Sequence, residues 1–144
     1  MKQNLNDTIR MFPQAAELRW EYELATLIYP QYSISYDENG HYWKMNDTRV
    51  PLPNFKGYVP KWLRDNAAAF QLAVAIRKFP IQLSGGLTIC DRTGKQRIVT
   101  EMYLDHEFDR EHESEKELHE RVARLVILKA ACFFANTENV GQLF

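Results

Sequence analysis

The chain has 144 residues, 45% of them hydrophobic and 26% charged, with 18 Lys+Arg against 19 Asp+Glu and a formal net charge of −1. That length suits one domain, and 12% aromatics with six Gly and six Pro exclude a disordered or fibrous chain. The near-neutral total excludes a uniformly basic nucleic-acid binder and a uniformly acidic mimic, yet it hides a segregation: residues 44–97 carry ten Lys/Arg and three acids, residues 101–121 three Lys/Arg and nine acids.

The opening segment is polar throughout and lacks the apolar run of a signal peptide. No stretch approaches the ~18 apolar residues of a membrane span. Cys90 and Cys132 each sit in an apolar segment, so buried free thiols and a cytoplasmic location are expected.

Pro13 suits the first turn of a helix that runs to about Tyr29 and is stopped by Pro30. Leu18, Tyr22, Ala25 and Tyr29 form its apolar stripe, with Glu17, Arg19 and Glu21 off it. Residues 4–11 are a candidate short arm. In 32–45, Tyr32, Ile34 and Tyr36 alternate with polar residues, Asp37–Gly40 is turn material, and Tyr42–Met45 resumes extended chain, which predicts a β-hairpin. Residues 50–60, with three prolines, form a loop anchored by Leu52, Phe55 and Tyr58. Pro60 then starts a helix over 61–79 with a stripe of Leu63, Ala67, Phe70 and Val74, flanked by Trp62, Ala69, Ala73 and Ile76. Its alanine-rich arc predicts packing against a sheet, and Arg77-Lys78 suit its carbonyl end.

Residues 81–104 read as extended chain, with a bend at Ser84-Gly85-Gly86 and a hairpin pairing 87–90 with 97–102. Ser114 and Glu117 match the capping-box spacing and predict the start of the last helix. Beyond Val126 that helix is apolar almost all round, which demands deep burial or a second copy of the chain. The expected fold is α+β: three helices packed on a small antiparallel sheet made of two β-hairpins, in the order α-ββ-α-ββ-α, as a single domain over 1–144. A tail follows from Asn136, pinned by Leu143 and Phe144.

No phosphate-binding loop, nucleophile elbow or metalloprotease motif is present. Three candidate sites remain. The loop and its neighbours gather Tyr42, Trp43, Phe55, Tyr58 and Trp62 with Lys56 and Arg64 interleaved; these rings either lid the core or form a recognition patch for a protein partner. The acidic segment 105–120 holds His106, Asp109, His112 and His119, donors suited to a divalent metal, although most of its eight carboxylates also suit a hydrated helix start. Asp91, Lys95 and Glu101 beside the second hairpin are the sole nuclease-like grouping, and Cys90 or Cys132 would need a histidine such as His41 or His106 brought near in space.

The segments LPNFKGYVPKWLRDNAAAFQLAVAI (52–76), LTIC, RIVTEMYL and ARLVILKAACFF (123–134) resemble the phage α–β–α sandwich family, over roughly residues 15–135. A Lys-rich stretch before the second helix and the acidic insert before the third depart from that pattern. The family has no known function, so the resemblance implies a phage or prophage accessory protein in the host cytoplasm and carries no active residue across. The leading expectation is a non-enzymatic protein without cofactor that binds a protein partner and modulates a host factor, with a homodimer through the final helix as one arrangement. The alternatives are a small divalent-metal enzyme using segment 105–120 and a nucleic-acid binder using the basic segment 44–97.

Overall fold

The computed structural model describes residues 18–50 and 58–135. The arm at 4–11, the Pro13 helix start, the loop anchors Leu52 and Phe55, Lys56 and the tail from Asn136 lie outside them. The described elements are α1 (Leu18–Ile28), β1 (Ser33–Asp37), β2 (Gly40–Met45), β3 (Thr48–Arg49), α2 (Asn66–Ile76), β4 (Ile81–Leu83), β5 (Gly86–Cys90), β6 (Arg97–Met102), a 3-10 turn at Tyr103–Asp105 and α3 (Glu115–Phe134).

The element order is the one expected, but the strands make two sheets in place of one. Each hairpin gains a short third strand, giving the antiparallel orders β1-β2-β3 and β4-β5-β6. In the second sheet Gly86 pairs with Met102 and Thr88 with Thr100. A side chain at Gly86 would collide with the Glu101 carbonyl, so close backbone approach, more than bending, requires this glycine.

The twenty-residue helix α3 is the central element. It packs against α1, α2, β5 and β6. Ser114 and Glu117 form the capping box, with the Glu117 N–H donating to Ser114 Oγ at 3.1 Å and the Ser114 N–H to Glu117 Oε1 at 3.2 Å. Val122, Val126, Leu128, Ala130 and Ala131 are wholly buried. The apolar circumference that demanded deep burial or a second copy is thus covered within one chain, except at Phe133, which is 63% exposed.

Helix α2 differs from expectation in start, orientation and neighbour. Residues 62–64 form a turn, and Asp65 caps the helix by accepting the Ala67 N–H at 2.9 Å. The chain leaves it through Arg77 in the left-handed conformation (φ 58°), with Lys78 N–H bonded to the Ala73 carbonyl. Its buried face is Ala68, Ala69, Leu72, Ala73 and Ile76, packed mainly on α3 and not on a sheet. Of the expected stripe, Phe70 and Val74 point outward, 60% and 50% exposed, while Leu63 lies before the helix and is buried.

On α1 the buried face is Glu21, Leu24 and Ala25, while Tyr22 is exposed. A carboxylate fills an apolar slot because it has a dedicated partner, the Leu63 N–H at 2.9 Å. The first sheet is fixed to this helix by Trp43, whose indole N–H donates to the Ala25 carbonyl at 3.0 Å.

Candidate functional site

The aromatic residues of the first candidate site divide by burial. Trp43, Trp62 and Tyr42 are 0%, 1% and 6% exposed, so they serve as the lid on the core and present little surface to a partner. Tyr58 is half-buried and donates its hydroxyl to Asp37 at 3.0 Å, while Arg49 lies 4.3 Å from the ring centres of both Tyr42 and Tyr58. Arg64 is exposed. The packing has corrected the reading of Tyr42, Trp43 and Trp62 as a patch: each β2 residue from His41 to Trp43 is covered, by α1 on one side or the returning chain at 58–62 on the other.

Behind this lid lie two buried ionisable groups. Burial raises the Glu21 carboxyl above its ordinary value, against the opposing Leu63 N–H, Arg64 and Lys61. His41 is held down to about 4, by burial first and by Arg64 second. Its Nε2 has no hydrogen-bond partner among the described residues, and Tyr36 and Tyr22 meet the ring edge-on.

The histidines of the acidic segment do not converge. His106 Nε2 lies 3.1 Å from Glu101 Oε2, on the neighbouring strand. His119 stacks on Tyr103 with ring centres 4.2 Å apart. His112 Nδ1 lies 2.6 Å from Asp109 Oδ2, and these two with Glu111 are the one group of three described His, Cys, Asp or Glu residues whose donor atoms lie within 4.8 Å of one another. All three are exposed on a turn, and Asp109 Oδ1 also accepts the Glu111 N–H at 3.1 Å. The four-residue set of His106, Asp109, His112 and His119 is therefore reduced to Asp109 and His112, joined by Glu111. The nuclease-like grouping also separates: Asp91 is spent on its own turn, accepting from the Thr93 hydroxyl at 2.7 Å and from the Thr93 and Lys95 N–H groups, while Glu101 pairs with Lys129 and His106.

A groove of about 460 Å³ runs along β6, with Trp20 and Glu23 of α1 on one side and Lys129, Cys132 and Phe133 of α3 on the other. Ile98, Val99, Thr100 and Glu101 supply its strand wall. β6 is an outer strand of its sheet, so its far edge has no strand partner among the described residues. Glu101 takes both Lys129 Nζ and His106, and the Lys129 ammonium lies 5.1 Å from the Trp20 ring centre. The Cys132 thiol donates to the Trp20 carbonyl at 3.5 Å and is pushed up to about 12 by burial and Glu23. A thiol in that state stays protonated and is a poor nucleophile. The groove thus offers contact surface, a strand edge and fixed charge, with its one thiol held protonated.

No family model matches the chain, and neither does any curated protein or solved structure. Geometry alone has to carry the functional argument. The groove was missed in the sequence because its lining comes from three distant segments. Glu101 was noticed only for its acid, and the outer position of β6 is a property of strand order that no local pattern encodes.

Proposed function

We propose that this chain is a non-enzymatic binding protein that takes an extended segment of a protein partner along the free edge of β6. The observation that carries the reading is a strand edge, unpaired among the described residues, lying in a groove with aromatic walls. An added strand would gain main-chain hydrogen bonds from that edge, and alternate side chains would reach Trp20 and Phe133. This agrees with the accessory role that the resemblance to the phage sandwich family implies, with the contact surface moved from the aromatic loop to the second sheet. Selection of a displayed short-peptide library against the purified chain tests it. Enriched peptides should bind the native chain and lose at least tenfold affinity to Phe133→Asp. Failure to enrich any sequence, or binding indifferent to that substitution, removes the reading.

A second reading rests on the Asp109–Glu111–His112 turn. One nitrogen and two carboxylate donors on adjacent residues form an incomplete set for zinc or manganese, with water completing the coordination. The three donors are exposed on the surface, a geometry that suits cation uptake. Titration calorimetry with zinc or manganese should give heat that His112→Ala abolishes. Absence of heat at micromolar protein would sink it.

A further inference from the structure

The segregation of charge along the chain has its boundary on β6. Before the strand, residues 91–97 carry Arg92, Lys95 and Arg97 against Asp91. The Asp91 carboxylate is turned into its own loop, where it accepts from the Thr93 and Lys95 N–H groups, while Lys95 and Arg97 are exposed. After the strand, residues 103–111 carry Asp105, Glu107, Asp109 and Glu111 against Arg110 and the histidines His106 and His112. His106 reaches back to Glu101 at 3.1 Å, which keeps the exposed Asp105 beside the strand end. Between these ends the groove is balanced: Glu101 is held by Lys129, and Glu23 on the α1 wall has Arg19 one helical turn before it. The edge therefore runs from basic through neutral to acidic over Arg97–Met102.

The ladder fixes which main-chain groups a partner meets. The Tyr103 N–H donates to the Gly85 carbonyl, and the same register sets Glu101 opposite Leu87 and Val99 opposite Ile89. Bonded and unbonded pairs alternate in an antiparallel ladder, so Thr100 and Met102 direct their main-chain groups to the outer edge. A strand anchored on Thr100 lies with one end toward Arg97 and the other toward Asp105.

We propose that the segment taken along β6 is itself charge-asymmetric: acidic where it passes Lys95 and Arg97, basic where it passes Asp105 and Glu107, and uncharged between. The inference rests on β6 being the docking edge. Opposite charges set across adjacent strands attract and like charges repel, so a segment with the reverse order is penalised at both ends. The uncharged middle lies against Trp20 and Phe133, where a buried charge would find no partner to spare. Charge thus fixes the order in which the partner lies as well as its chemistry.

Fluorescence anisotropy of the full chain with labelled synthetic peptides tests the proposal. Each peptide has a Val-Thr repeat as its core; one carries aspartates at its N-terminal end and lysines at its C-terminal end, a second the reverse, and a third serines at both. One of the two charged peptides should bind at least fivefold tighter than the other two at low salt, with the advantage fading at high salt. Arg97→Glu and Asp105→Lys, both at exposed positions, should each reduce that advantage, and the double variant should transfer it to the peptide of opposite order. Equal binding of all three, lost in Phe133→Asp, overturns this inference and leaves the groove reading in place. A charge preference that survives Phe133→Asp, or that ignores both reversals, places the attraction elsewhere on the surface and overturns it too. Binding of none overturns it together with the groove reading.

Discussion

Helices α2 and α3 are both rich in apolar residues, yet they use them in opposite ways. In α3 the surplus is enclosed: α1, α2 and the second sheet surround it, and among its last nine residues only Phe133 is exposed. In α2 the same kind of surplus stands open, because the helix lies at the margin of the fold with one large neighbour. Apolar content reports how much surface seeks cover, while position in the fold decides whether the chain supplies that cover itself. The cover that the sequence sought for α3 in a second copy comes from within the chain, and the apolar face left open is on α2.

Substitution on the enclosed helix should give the largest effect. Leu128→Ala removes a fully buried side chain and should cost about 2–5 kcal/mol, read from the urea midpoint at constant m. A cost below about 1 kcal/mol would mean that α3 is not sealed as described.

Burial is the variable in this comparison, and polar groups inside the fold measure it by a second route. His41 is held at about 4 against an ordinary 6.5, so the unfolded chain binds more protons between those values. Stability should fall as pH drops from 6.5 towards 4, by about 3 kcal/mol in total. Glu21 has the opposite sign: its contribution is full below its ordinary value and is lost as pH rises through its raised folded value. Comparing Glu21→Gln with the Glu21→Gln/His41→Gln pair isolates the histidine, and the second chain should lack the loss between pH 6.5 and 4. Equal slopes would show that His41 protonates without opposing the fold.

Ser114→Ala deletes half of the capping box on α3 and should cost about 1 kcal/mol, seen as a lowered Tm. The smallest effect belongs to the open helix. Phe70→Ser should change the stability of dilute, monomeric protein by no more than about 0.5 kcal/mol, because 60% of that side chain is already in water. A larger loss would mean that the stripe is covered within the chain.

Much of the fold was legible because it is local chemistry. The capping box at Ser114 and Glu117, the turn at Asp37–Gly40 and the hairpin pairing 87–90 with 97–102 each act over a few residues and emerge as expected. The orientation of α2 was not legible, since Leu63, Ala67, Phe70 and Val74 fit a helical stripe as well as Ala69, Leu72, Ala73 and Ile76 do. Alanine adds little to any apolar score, so the larger residues drew the assignment to the face that lies outside. Glu21, placed off the apolar stripe in the sequence, is buried because its partner is a backbone N–H forty-two residues away. The candidate site was the least legible part, because a groove along β6 exists only after α1, the second sheet and α3 have met.

Arg77 gives the open helix a further consequence. At the position that ends a helix in the left-handed region, glycine meets no steric cost, whereas a side chain costs about 1 kcal/mol. The chain thus leaves an available gain in stability unused at that point. Arg77→Gly should therefore raise the Tm by relieving that cost, at the loss of the exposed cation where the open helix ends.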